Sequence, residues 1–274
     1  MIEKLKALIP SGWKKSIKML VNKKFKKKTI EFERIKKLPR FLETDTFLFD
    51  VPVKITDGAS YLFISDEIFK KEIYKFETKS PSPYILDCGA NIGLSIIYFK
   101  RLFPDAEIVG FEPDGNTFDA LKYNIASFNL SKVTLVKKAC WSSETTLQFF
   151  SEGADGGRVA KENDKENIIE VETIRLKNYL NRKVDFLKMD IEGAESEIIP
   201  DIAGLLVNVD NIFVEFHSFI GQEQKLPEIL TVLKAAGFHL HISAPGLTSQ
   251  NPFIELSTYA NMDNQLNIYG IRKQ

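Results

Sequence analysis

From Tyr84 onward the chain alternates short, unbroken apolar runs with helical patterns. YILDC (84–88), EIVGFE (107–112), VTLVKKA (133–139), VDFLKMD (184–190) and NIFVEF (211–216) are the runs. Apolar spacing predicts helices over 94–103, 114–128, 193–206 and 224–236 between or after them. Strands that are apolar on both faces are covered on both faces, and a parallel connection needs a crossover. The pattern therefore dictates an α/β fold with a mostly parallel sheet and helices on both sides. VDFLKM is expected next to the first strand, in the centre of the sheet. TLQFF and IIEVE read as extra strands around a glycine-rich loop (153–157). FHLHI and QLNIYGI read as a terminal antiparallel pair.

The first 80 residues follow a different rhythm. Ile2, Leu5, Ile9, Trp13, Ile17 and Leu20 recur at helical spacing, broken at Pro10-Ser11-Gly12. Residues 1–40 hold 14 Lys and Arg against three Glu, although the whole chain balances 37 basic against 37 acidic residues. Three segments are expected: a basic amphipathic arm (1–45), a β-hairpin plus helix (46–80), and the main domain (81–274). In the hairpin segment TFLFD, VPVKI and SYLFIS read as β-rich runs with Asp57-Gly58 as a turn. Ser65-Asp66 then caps a helix over 67–76. Residues 1–28 suit a peripheral contact with an anionic membrane, or packing against the body or a second subunit as a homo-oligomer. The neutral overall charge gives no reason to expect nucleic acid. No continuous apolar segment follows the N-terminal lysines, so a cytoplasmic location is expected, with the arm available for the inner membrane surface. Cys88 and Cys140 show no metal or redox spacing and read as buried thiols.

Ligands of open α/β sheets bind at the carboxyl ends of the strands. The first strand runs into Asp87-Cys-Gly89-Ala-Asn91-Ile-Gly93, and the second into Glu112-Pro113-Asp114. Glycines admit a ligand close to the backbone, and a carboxylate after the second strand suits the two hydroxyls of a ribose. The loop lacks the GxGxxG of dinucleotide sites. Asp87 would repel a pyrophosphate but attract a cationic amino-acid moiety. S-adenosylmethionine, which carries an ammonium and a sulfonium, fits better than a nicotinamide cofactor.

DCGANIGLS (87–95), GFEPDGNTFDALKYNI (110–125), KMDIEGAESEII (188–199) and VEFH (214–217) together resemble the FkbM family of S-adenosylmethionine-dependent methyltransferases. The resemblance spans roughly residues 65–220. It implies a seven-stranded class I methyltransferase (Rossmann-like) fold and O-methylation of sugars or of natural-product hydroxyls. By motif position it puts Asp87, Gly89, Asn91 and Gly93 at the methionine end and Glu112 on the ribose. Ala139, Trp141 and Ser142 then neighbour the adenine, and Asp190 lies near the transferred methyl. The family often has Leu-Ser where this chain has Cys140-Trp141-Ser142.

The fifth run brings Glu215 and His217 to the same rim as Asp190. His217 is therefore expected to act as general base, with Asp190 orienting it or the acceptor. The same Asp190, Glu215 and His217 could instead gather Mg²⁺ or Mn²⁺, the less favoured reading because no tight ligand spacing is present. Glu192 and Glu195 share a face at the start of the following helix, where carboxylates are favoured. The expected acceptor is a sugar hydroxyl of a surface glycan or glycolipid. A small natural product, or a non-catalytic membrane-associated scaffold on the same fold, are the alternatives.

Overall fold

The computed structural model describes residues 26–154, 156–160, 165–246, 249–259 and 261–272. Most of the amphipathic arm and Asp155 of the glycine-rich loop lie outside the described residues. No described helix is long and apolar enough to cross a membrane.

Seven strands form the main sheet: β3 (Tyr84–Cys88), β4 (Glu107–Phe111), β5 (Val133–Val136), β10 (Val184–Met189), β11 (Val209–Phe219), β12 (His239–Ser243) and β13 (Met262–Ile271). Their spatial order is β12-β13-β11-β10-β3-β4-β5. β10, β11, β3, β4 and β5 pair in parallel, and β13 runs antiparallel to both β11 and β12. This is the seven-stranded, mostly parallel sheet expected of a class I methyltransferase, with VDFLKM central between β3 and β11. β6 (Ala139–Trp141), β7 (Thr146–Phe150), β8 (Arg158–Val159) and β9 (Ile168–Arg175) form a second, four-stranded sheet.

The two faces of the main sheet carry separate cores. Leu86, Leu187, Met189, Val214 and Phe216 face one. Ile85, Phe186 and Phe213 face the other, beneath α3 (Leu94–Leu102) and α4 (Gly115–Ser127). Strand alternation then places Asp87, Lys188, Glu215 and His217 on the same face as this second core.

The N-terminal extension closes over that face. A helix, α1 (26–36), leads to an antiparallel hairpin of β1 (Thr44–Leu48) and β2 (Val51–Ile55). The hairpin turns through Phe49 and Asp50, both at positive φ. SYLFIS is not a strand. It lies within a helix, α2 (Gly58–Ser65), followed by a π-helical turn over Asp66–Lys70. The expected turn residue Asp57 is the N-cap of α2. Its carboxylate accepts from Ser60 N at 2.8 Å, Phe41 N at 2.7 Å and Arg40 Nε at 2.8 Å. A side chain at Gly58 would meet the Ile35 carbonyl at 2.8 Å, so the glycine permits α1 to approach α2. Local β propensity in SYLFIS is thus overridden by a strong cap and by packing. Asn124 on α4 binds the hairpin to the body. Its Oδ1 accepts from Lys54 N, and its Nδ2 donates to Lys54 O and Ile92 O.

Candidate active site

The carboxyl ends of β3, β4, β10 and β11 open onto a cavity of about 860 Å³. The β3 loop is shaped by three positive-φ residues, Gly89, Asn91 and Gly93. A Cβ on Gly89 would stand 1.8 Å from the Asp190 carbonyl, so this turn and the loop after β10 are in backbone contact. Gly89, Ala90, Asn91 and Ile92 line the cavity.

Asp87 lies fully buried behind the loop. It accepts from Ser95 Oγ at 2.5 Å and pairs with Lys188 Nζ at 3.3 Å. Lys188 stands directly opposite Asp87 in the β3–β10 register. The same ammonium lies 3.3 Å from Asp190 and donates to Gly89 O at 2.8 Å. Burial alone would lower the Lys188 pKa, but Asp190, Asp87 and Glu215 outweigh it and hold the group charged, above the usual lysine range. Burial pushes the Asp87 carboxyl upward, an effect that Lys188 opposes. A lysine near the carboxyl end of the central strand is the residue that sequence reading passed over. Its signal was available, because a buried ammonium in such a strand requires carboxylate partners.

Glu112 ends β4. Its two oxygens accept from Asn91 N and Asp114 N, both at 3.0 Å, which fixes the carboxylate against the glycine turn. Burial pushes its pKa up to about 7; the Asp114 backbone N–H opposes that shift and the Asp114 carboxylate adds to it. Ala139, Cys140 and Trp141 line the far wall. Ser142 is not among the lining residues; its hydroxyl donates to Glu197 Oε1 at 2.5 Å. Gly153, Ala154, Gly156, Gly157 and Arg158 of the glycine-rich segment also line the cavity.

The loop after β10 brings the remaining carboxylates together. Glu192 and Gly193 both have positive φ, 54° and 102°. Glu195 does not point outward from its helix, α5 (Glu195–Ile202). It turns back and accepts from Ile191 N at 3.0 Å and Gly193 N at 2.9 Å, capping the loop that carries Glu192. Glu197 remains exposed. Asp190, Glu192 and Glu215 line the cavity, with Glu67 of the π-helical turn on the opposite wall. Glu215 accepts from Gln265 of β13. Burial and the nearby Glu215 push the Glu67 pKa up to about 7. Glu67 was unforeseen because no residue pattern around Asp66 marks a helix that widens there.

β11 does not stop at Phe216. It continues to Phe219, so His217 sits inside the strand, opposite Gln265. Its side chain is wholly buried and is not among the cavity-lining groups. Nε2 lies 3.7 Å from Glu192 and 3.5 Å from Glu215, while Nδ1 lies 3.6 Å from Glu195. Burial would lower the imidazole pKa, but Glu192, Glu195 and Glu215 raise it well above the ordinary value. The ring stands behind the carboxylates. The direct proton-accepting role expected of His217 therefore meets a geometric obstacle: Asp190 and Glu215, not the imidazole, reach the cavity.

The sequence profile described as "Methyltransferase FkbM domain" matches residues 87–240. "Methyltransferase sdnD" of Sordaria araneosa is 28% identical over 200 residues, covering 60% of this chain and 76% of that protein. "2-O-methyltransferase NoeI" of Sinorhizobium fredii is 28% identical over 172 residues, covering 54% and 69%. A crystal structure of a methyltransferase FkbM from Methylobacillus flagellatus superposes with a TM-score of 0.47 at 16% identity, covering 73% of this chain and 46% of that one. The profile spans more than half of the chain and contains both the glycine turn after β3 and the carboxylate-rich loop after β10, and by that match this protein belongs to the FkbM methyltransferase family.

Proposed function

We propose that this methyltransferase moves the methyl group of S-adenosylmethionine to a hydroxyl oxygen, most fittingly that of a sugar in a surface glycan or glycolipid. The observation that carries the reading is the joining of two different ends in one cavity. One end has a glycine turn backed by Asp87 and a fixed Glu112; the other has Asp190 and Glu215. Asp87, Gly89, Asn91 and Gly93 shape the methionine end. Glu112, with lone pairs left over from its backbone bonds, accepts the ribose hydroxyls. Ala139 and Trp141 bound the adenine, and Ser142 takes no part through its present contact.

The acceptor enters between the loop after β10 and the wall formed by Phe63, Ile64, Glu67 and Ile68. Asp190 or Glu215 takes the hydroxyl proton as the oxygen attacks the methyl carbon. The sulfur leaves as a neutral thioether, so charge is cancelled in the transition state and a dry cavity favours it. Holding oxygen, carbon and sulfur in line supplies much of the rate. His217, from behind, positions Glu192 and Glu215. NoeI's description as a 2-O-methyltransferase favours oxygen as the acceptor atom. The apolar residues of the acceptor wall favour an acceptor with an apolar portion, which keeps a natural-product hydroxyl as the second reading.

The test is incubation of the protein with methyl-labelled S-adenosylmethionine and either surface glycan or glycan-free extract from the source cells. Label recovered as an O-methyl sugar supports the reading. Label recovered only on nitrogen or carbon, or no transfer to any extract, overturns it.

A further inference from the structure

We propose that Asp190, Glu192 and His217 form a binding site for a divalent first-row cation of the Mn²⁺ class, open on one side to the cavity. One ligand atom from each residue can be chosen so that all three lie within 4.8 Å of one another, with two carboxylate oxygens and one imidazole nitrogen as donors. Carboxylates with one imidazole and open positions suit Mn²⁺ and its neighbours, which accept both oxygen and nitrogen.

A second observation is independent of the carboxylate cluster. The His217 side chain is wholly buried, yet neither ring nitrogen has a hydrogen-bond partner. Its neighbouring carboxylate oxygens stand at 3.5 to 3.7 Å, too far to serve as acceptors. Buried polar atoms in native proteins are satisfied, and an orphaned pair on one ring points to an absent ligand. Glu195 lies on the Nδ1 side, itself fixed by two backbone N–H groups, and so leaves Nε2 to face Glu192. The ammonium nearest the cluster is already committed, since Lys188 pairs with Asp87 as well as Asp190 and donates to Gly89 O.

This site deepens the proposed methyl transfer and rests on that reading for its purpose. An acceptor hydroxyl bound to the cation becomes a stronger acid. Its proton passes to the Glu215 carboxylate, its oxygen forms the new C–O bond, and the breaking S–C bond leaves its electron pair on sulfur. No group changes oxidation state.

The experiment titrates chelator-stripped, full-length protein with Mn²⁺, following the free ion by electron paramagnetic resonance. In parallel, calorimetry measures binding of S-adenosylhomocysteine. The expected result is saturable Mn²⁺ binding that Asp190→Asn and Glu192→Gln each weaken by about tenfold or more. Asp119→Asn, at an exposed carboxylate, leaves it unchanged. Asp190 faces the cavity, so its variant tests the site even if a change at buried His217 disturbs folding. Mn²⁺ binding that is absent, or equal in all variants, overturns the site. If S-adenosylhomocysteine still binds in that case, the donor reading stands without it. Mn²⁺ bound as expected by a protein that ignores S-adenosylhomocysteine keeps the site and removes its assigned purpose.

Discussion

Replacing Glu112 by glutamine separates what this residue does for binding from what it costs the fold. The carboxyl is displaced from 4.5 to about 7, chiefly by burial. A carboxyl whose folded pKa is raised binds its proton more tightly in the native state. Its contribution to stability is therefore greatest at low pH and is lost as pH rises from the unfolded pKa through the folded one. The full shift corresponds to about 3 kcal/mol, of which roughly 2.5 kcal/mol falls between pH 5 and pH 8. Glutamine carries no such charge, but its amide can satisfy only one of Asn91 N and Asp114 N, which costs about 1 kcal/mol at every pH.

The two effects have opposite sign. In urea denaturation of the ligand-free protein, Glu112→Gln is expected to be slightly less stable than the parent near pH 5 and about 2 kcal/mol more stable near pH 8. The same variant loses the charge-assisted bonds to the ribose and binds S-adenosylhomocysteine about 30-fold more weakly, a loss of about 2 kcal/mol. A stability difference that does not change with pH would refute the assignment of Glu112 as a buried, proton-retaining carboxyl. Undiminished binding would refute its place on the ribose.

Lys188→Met leaves the Asp87 carboxylate buried without its ammonium, and is expected to cost about 3 kcal/mol or more in urea denaturation. Adding Asp87→Asn should recover much of that loss; a double variant no better than the single one would show that the pair is not the source. Gly89→Ala combines a φ of +82° with a Cβ 1.8 Å from the Asp190 carbonyl. It should unfold or fail to accumulate, whereas Gly204→Ala, with nothing within 4 Å, should melt near the parent temperature. Equal melting of the two alanine variants would contradict the close apposition of the β3 and β10 loops.

The main sheet was legible because its signal is redundant. YIL, IVGF and most of VDFLKM are apolar, and only strands covered on both sides tolerate such runs. The glycine turn and Glu112 were legible for a related reason: backbone shape and one carboxylate at a strand end suffice to mark them. The carboxylates after β10 were visible as a cluster, but not their directions. Glu195 caps backward because Glu192 and Gly193 both adopt positive φ, with Glu192 beside His217 and Gly193 against Phe219, contacts that local propensity does not encode. His217 was misplaced because β11 outruns its apolar stretch; pairing with β13 extends it through two polar residues to Phe219. SYLFIS was misread because its helix depends on contacts from Arg40, Phe41 and Ile35, residues 16 or more positions upstream of the capping Asp57. Long-range contacts of this kind leave no local pattern.

Everything assigned to the cavity depends on its holding an adenosyl donor beside the glycine turn and Glu112. Isothermal titration of the full chain with S-adenosylhomocysteine, and separately with NAD, tests this most directly. Saturable binding of the first alone, weakened in Glu112→Gln, is the predicted result. Heat from NAD with none from S-adenosylhomocysteine, or silence toward both, would contradict it.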